Sequence, residues 1–262
     1  MGIRRRLKNR LRPVLPPSLP DGGEQSENFQ QNRKLWDEYA FGWTPEFRGY
    51  ESRQGENAPL HYRHLGDEWG HPEDVESVVA EFILPFVGPG ACVAELGSGG
   101  GRVAARVLPH VREMWCFDIS EQMLARARDA LGNDPRANFV LLDRPEFPAD
   151  QHERFDFVYS FDVFVHLDLH MMWRYLQEFV QLVKPGGAFM FHTSNIATAE
   201  GWRFFASQER FTIPTHYFVH PGQIETMLSH LPVEVVTRSD EDPSNFYLAR
   251  DYLVVCRRND PR

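Results

Sequence analysis

Asp162 and His166 stand four residues apart in Phe161-Asp162-Val163-Phe164-Val165-His166, directly after an apolar run of strand length. A carboxylate and an imidazole on one short loop suit proton removal from a hydroxyl, which is a poor nucleophile while it keeps its proton. His166 is the first candidate base, because an unperturbed imidazole titrates near ~6.5 and accepts a proton close to neutral pH. His192, in Phe191-His192-Thr193-Ser194-Asn195, is the second. Either histidine also reads as a structural residue with a backbone partner. Asp162, His166 and His192 could instead gather a divalent ion such as Mg2+. Hard oxygen ligands are scarce among them, so no metal is assigned.

A second set of residues concerns ligand binding. Val93-Ala94-Glu95-Leu96-Gly97-Ser98-Gly99-Gly100-Gly101-Arg102 passes from an apolar run through a glycine turn into helical spacing. Such a loop lets backbone N–H groups approach a ligand closely. The dinucleotide pattern needs a third small residue where this chain has Arg102, which counts against a nicotinamide cofactor. Asp118, closing Met114-Trp115-Cys116-Phe117-Asp118, falls at about the ~20-residue offset of a carboxylate that binds ribose hydroxyls. The expected ligand therefore carries a ribose.

Five stretches stand in order over roughly 75 to 195: Glu95 to Arg102, Asp118-Ile119-Ser120 leading to Met123-Leu124, Leu142-Asp143-Arg144, Phe155 to Ser160, and Val183-Lys184-Pro185-Gly186-Gly187. Together they resemble the successive motifs of class I S-adenosylmethionine-dependent methyltransferases, of the small-molecule or saccharide O-methyltransferase type. The resemblance implies S-adenosyl-L-methionine as cofactor, held by Glu95, Gly97, Ser98, Gly99, Gly101, Asp118, Ile119, Met123, Asp143, Arg144 and Ser160. It also implies a Rossmann-like α/β fold, with a seven-stranded mostly parallel sheet, helices on both faces and an N-terminal helical cap. In that family an N-terminal extension often covers the cofactor pocket. Trp36, Tyr39 and Trp69, with Asn195 after the fifth expected strand and Tyr217 from a later insertion, are the corresponding acceptor-binding candidates. They read equally as packing residues. The narrower likeness is to methyltransferases of bacterial glycan biosynthesis; N- or C-methylation of a natural product, or a cofactor-binding partner protein without catalysis, are the rival readings.

The elements that must position these residues follow from periodicity. Strands are expected at 91–96, 114–118, 138–142, 155–161, 188–193, 233–238 and 246–256, and helices from Pro72 toward Pro85 and at 101–108, 120–131, 168–183 and 221–230. Alternation of strands and helices implies a mainly parallel sheet with its ligands at the carboxyl ends of the strands. Three regions result: a basic, Pro-rich tail at 1–28, a cap at 29–84, and a cofactor-binding core at 85–262 with an aromatic insertion at about 196–220. The tail carries Arg4, Arg5, Arg6, Lys8, Arg10 and Arg12 before Pro13, and reads as a solvated segment in preference to a membrane-surface helix. His61, His64 and His71 invite a zinc site, but nothing places them on one face.

Composition narrows the partners. A net charge of -9 provides no global basic field, so nucleic acid is not the expected substrate. Cys92, Cys116 and Cys256 all fall in expected strands and behave as small buried hydrophobes without a disulfide pattern. No apolar stretch approaches the ~20 residues of a membrane span. The expectation is a reduced, cytoplasmic, soluble enzyme acting on a small-molecule or saccharide acceptor, with homo-oligomerisation left open.

Overall fold

The computed structural model describes residues 27–44, 63–210, 212 and 215–260. The basic tail and His61 lie outside the described residues. Seven strands form one sheet: β1 (Cys92–Leu96), β2 (Glu113–Asp118), β3 (Ala137–Leu141), β4 (Phe155–Ser160), β5 (Val183–Ser194), β6 (Val233–Arg238) and β7 (Asp251–Arg258). Their order is β3-β2-β1-β4-β5-β7-β6. The pairings are parallel from β3 to β5, and β7 runs antiparallel to both β5 and β6. This is the expected Rossmann-like methyltransferase fold. The order reverses between β1 and β4, and a crevice opens at such a switch point.

The helices are α1 (Glu27–Gly42), α2 (Pro72–Phe82), α3 (Ala104–Val107), α4 (Glu121–Ala130), α5 (Leu169–Leu182), α6 (Ala199–Ala206) and α7 (Pro221–Ser229). One face of the sheet packs Met172, Leu176 and Phe179 of α5 and Ile224 and Leu228 of α7 against Leu96, Phe117 and Phe189. The other packs Val75, Val78, Val79 and Phe82 of α2 and Ala104 and Val107 of α3 against Val93, Met114 and Leu253. Burial on both faces explains why the central strands are apolar runs rather than alternating ones. Because α2 belongs to this sheet packing, the described residues of the expected cap region that border the crevice come from α1 and from the segment holding Leu65 and Trp69.

Three boundaries differ from the periodicity. The helix after the glycine loop is a single turn, α3, which continues as a tighter turn at Leu108–His110, with Pro109 unable to extend the helical ladder. β5 begins at Val183 and carries Pro185-Gly186-Gly187 within it, with a register shift against β4 where Gly186 takes a φ of 74°. β7 begins at Asp251 rather than at 246, since the Asn245 side chain accepts the backbone N–H groups of Tyr247 and Leu248 and holds 245–250 in a turn.

Candidate active site

The crevice holds a cavity open to solvent, bordered by the loop after β1, the end of β2, the turn after β4 and α1. Its floor is the loop after β1, where glycine is required twice for different reasons. Gly97 has a φ of 69°, and a Cβ there would lie 2.2 Å from Cγ2 of Val163. Gly99 has a φ of 52° and no atom within 4 Å of where a Cβ would stand, so its backbone is open to a ligand. Gly101 serves packing instead: a Cβ would meet Leu131 and Ala127 of the α4 region, and the residue does not line the cavity.

Asp118, at the end of β2, faces this loop. Its Oδ2 accepts the Gly99 N–H at 2.9 Å and its Oδ1 accepts the Ser120 N–H at 2.8 Å. Burial pushes its pKa up to about 6, against the pull of the backbone N–H groups of Ser120, Gly99 and Ile119. Ser98 Oγ is buried at the same wall and has no hydrogen-bond partner among the described residues. An orphaned hydroxyl of this kind needs a ligand atom or water. Glu95 sits beneath the loop, where burial raises its pKa well above the carboxylate range.

Of the residues expected to hold the cofactor, Glu95, Gly97, Ser98, Gly99, Asp118, Ile119 and Met123 line the cavity. Asp143, Arg144 and Ser160 do not. Asp143 and Arg144 are exposed and lie 3.4 Å from each other, and Ser160 is buried with its Oγ donating to the Leu96 carbonyl at 3.0 Å. That bond ties β4 to β1 at the switch point.

Asp162 and His166 line the cavity, and His192 does not. His192 is fully buried on β5 beneath Phe161, whose ring stacks on it at 4.6 Å. Its Nε2 lies 3.1 Å from Oδ2 of Asp251, and its Nδ1 lies 3.3 Å from Oδ1 of Asp162. Burial disfavours a charged imidazole, but Asp251 and Asp162 outweigh it and raise the His192 pKa. With no face on the cavity, His192 is not placed to take a proton from an acceptor. Asp162 has a φ of 58° and forms an ion pair with Arg102. Arg102 and His192 hold its carboxyl well below the usual range despite its burial.

His166 closes the opposite wall, with Nδ1 3.3 Å from the Thr215 carbonyl. Trp36 meets its ring edge-on at 5.0 Å, and His216 at 5.6 Å. Burial lowers the His216 pKa well below the ordinary imidazole value, keeping that ring neutral. Trp36 and Trp69 line the cavity, with ring centroids 5.7 Å apart. Tyr39 stands behind them: its hydroxyl donates to Glu68 Oε1 at 2.7 Å and accepts from Trp69 Nε1 at 2.9 Å. Asn195 and Tyr217 are not among the lining residues. Asn195 accepts the Ala197 N–H, and the Tyr217 N–H donates to the Val165 carbonyl. Among the described residues, no three His, Cys, Asp or Glu side chains come together as a metal-binding group. No described helix is long and apolar enough to cross a membrane.

The helix α1 is fastened over the cavity by polar contacts to the start of α4. Asp37 accepts from Ser120 Oγ at 2.6 Å and from the Gln122 N–H at 3.3 Å, a carboxylate at a helix N-terminus. Arg126 donates to the carbonyls of Ala40 and Trp43. Phe29, Asn32 and Trp36 of α1 thereby become lining residues, together with Leu65, Arg102, Val103, Phe161, Val163, Leu167, Met171 and Tyr175. Of these, Trp36 alone had been singled out as a ligand-binding candidate; the helical spacing of Phe29, Asn32 and Trp36 is the signal that marks one face of α1.

Residues 93–187 match the family model described as a methyltransferase domain. No curated protein is matched by the sequence. Among solved structures, magnesium protoporphyrin IX methyltransferase (ChlM) from Synechocystis PCC 6803, with bound SAH, is 17% identical, covering 73% of this chain and 85% of that one with a TM-score of 0.59. An S-adenosylmethionine-dependent methyltransferase from Mesorhizobium loti is 21% identical, covering 70% and 98% with a TM-score of 0.55. The [4+2]-cyclase SpnF is 15% identical, covering 72% and 82% with a TM-score of 0.57. The last shows that the fold does not by itself decide the reaction. The stretch that the methyltransferase-domain model matches folds around the glycine loop and Asp118, and the chain shares the fold of these solved methyltransferases.

Proposed function

We propose that the protein transfers a methyl group from S-adenosylmethionine to a hydroxyl of a small molecule or saccharide, in cytoplasmic glycan or natural-product biosynthesis. The observation that carries this reading is that His166 and the Trp36–Trp69 pair share one cavity with Asp118 and the glycine loop. A proton acceptor, an aromatic wall and a cofactor floor therefore face the same space. The open backbone at Gly99, the orphaned Ser98 hydroxyl and the Asp118 carboxylate fit the adenosyl end of the cofactor. The cofactor, when bound there, supplies an electrophilic methyl on a sulfonium.

The chain's own residues then have separable tasks. Asp118 accepts from the ribose hydroxyls, with its carboxylate aimed by the Ser120 N–H. His166, oriented by Thr215, takes the acceptor proton, and Trp36 and Trp69 hold the acceptor and exclude water from the reacting pair. Aromatic faces suit the apolar face of a sugar or a planar ring.

The test is methyl transfer from methyl-labelled S-adenosylmethionine to a panel of hydroxyl acceptors, monosaccharides and oligosaccharides included, alongside amines and carbon acids. Transfer to amines or carbon acids alone would move the assignment to N- or C-methylation. Once an acceptor is known, Trp36→Ala is expected to raise its KM by roughly tenfold while the S-adenosylhomocysteine dissociation constant stays within about threefold, a split of about 1.4 kcal/mol. Lower thermal stability with unchanged kinetics would make Trp36 a packing residue only.

A further inference from the structure

His192 and Asp251 do not touch the cavity, yet they belong to a buried row of charges that ends in it. Arg102, Asp162, His192, Asp251 and Arg250 follow one another in close contact, with the imidazole between two carboxylates and an arginine at each end. Asp162 is the hinge of the row. It has a left-handed φ of 58°, a conformation that Asp tolerates better than most residues. Its carboxylate pairs with Arg102, and its backbone N–H donates to Nδ1 of the neutral His192 ring at 3.1 Å.

His192 thus holds Asp162 through its backbone N–H. Asp251 lies at the other ring nitrogen and is itself fixed by Arg250, whose Nε lies 2.9 Å from both carboxylate oxygens. Arg102, the residue after Gly101, brings the row to the end of the glycine loop, and its Nη1 donates to the Gly66 carbonyl at 2.8 Å and to the Tyr247 hydroxyl at 3.0 Å. The loop after β1, the turn after β4 and the antiparallel pair β5–β7 are therefore joined by one row of close polar contacts in a dry environment, where losing a partner is most costly.

We infer that His192 and Asp251 are positioning residues for the cofactor end of the cavity: they hold Asp162 in its left-handed turn, and Asp162 in turn holds Arg102 and the glycine loop. This rests on the reading that the cavity binds S-adenosylmethionine. The coupling runs through Asp162, so disturbing Asp251 has no further route to the loop once the Asp162 carboxylate is gone.

The experiment is a double-mutant cycle in the full chain, with S-adenosylhomocysteine affinity measured by calorimetry on wild type, Asp162→Asn, Asp251→Asn and the double variant, each shown folded by circular dichroism. Asp251→Asn is expected to weaken binding about tenfold and Asp162→Asn somewhat more, with the double variant no weaker than Asp162→Asn alone. Losses that multiply in the double variant, or an Asp251→Asn affinity within twofold of wild type, would overturn the inference. A residue that only stabilises the fold would lower the melting temperature without this non-additivity. If Asp251→Asn does not fold, His192→Gln takes its place in the cycle with the same two outcomes. Wild-type protein that binds no S-adenosylhomocysteine overturns the cofactor assignment, and the inference falls with it, whereas tight wild-type binding with additive variants overturns the inference alone.

Discussion

Asp118→Ala is expected to weaken S-adenosylhomocysteine binding by about two to four orders of magnitude in a protein that remains folded. Each hydrogen bond from a ligand hydroxyl to a carboxylate contributes roughly 1.5–3 kcal/mol, and a ribose offers two such donors. The Asp118 oxygens already accept from Gly99 and Ser120, so the carboxylate is aimed before a ligand arrives. The same residue gives the binding a pH dependence with a definite sign. Its pKa is raised by burial to about 6, and ribose hydroxyls favour the ionised form, so affinity is full above that value and declines as pH falls through it. The decline should approach tenfold per pH unit well below 6 and should vanish in Asp118→Ala. Titration calorimetry between pH 5 and 8 on both proteins measures it. Equal affinities for the two proteins at pH 7.5 would remove the ribose from Asp118.

Much of this site is visible in the chain because its parts are local. The glycine loop carries its own turn chemistry, and Asp118 closes a short apolar strand, so both can be located from neighbouring residues. Ser160 shows where a motif misleads. It follows β4 in the expected place, yet strand alternation turns its hydroxyl toward the Leu96 carbonyl and away from the cavity. Asp143 and Arg144 follow β3, an edge strand, and face solvent. Arg102, Tyr247 and Asp251 illustrate the opposite failure. Arg102 meets Asp162 across 60 residues and Tyr247 across 145, and no local pattern announces such partners. His192, the second candidate base, stands near the end of an expected strand. The continuation of β5 to Ser194, paired with β7, buries its ring instead.

His166→Ala should lower kcat by ~10²–10⁴-fold on a hydroxyl acceptor while S-adenosylhomocysteine affinity stays close to that of wild type. The separation follows from geometry: His166 stands on the wall formed with Trp36, whereas Asp118, the proposed ribose partner, ends β2. The Thr215 carbonyl beside Nδ1 orients the ring and favours the tautomer whose basic nitrogen is Nε2. Wild-type turnover should therefore fall toward acid pH as the imidazole becomes protonated, and the limb should disappear in the variant. Stopped assays with labelled cofactor over a pH series give both quantities, and a chelator arm tests for a divalent ion: loss of activity restored by magnesium would turn Asp162 and His166 from proton handling to metal binding. Near-normal turnover in His166→Ala would not pass the role to His192, which is fully buried with its two ring nitrogens facing Asp162 and Asp251. It would mean that the acceptor hydroxyl loses its proton to water or to another group, and that His166 only lines the acceptor wall.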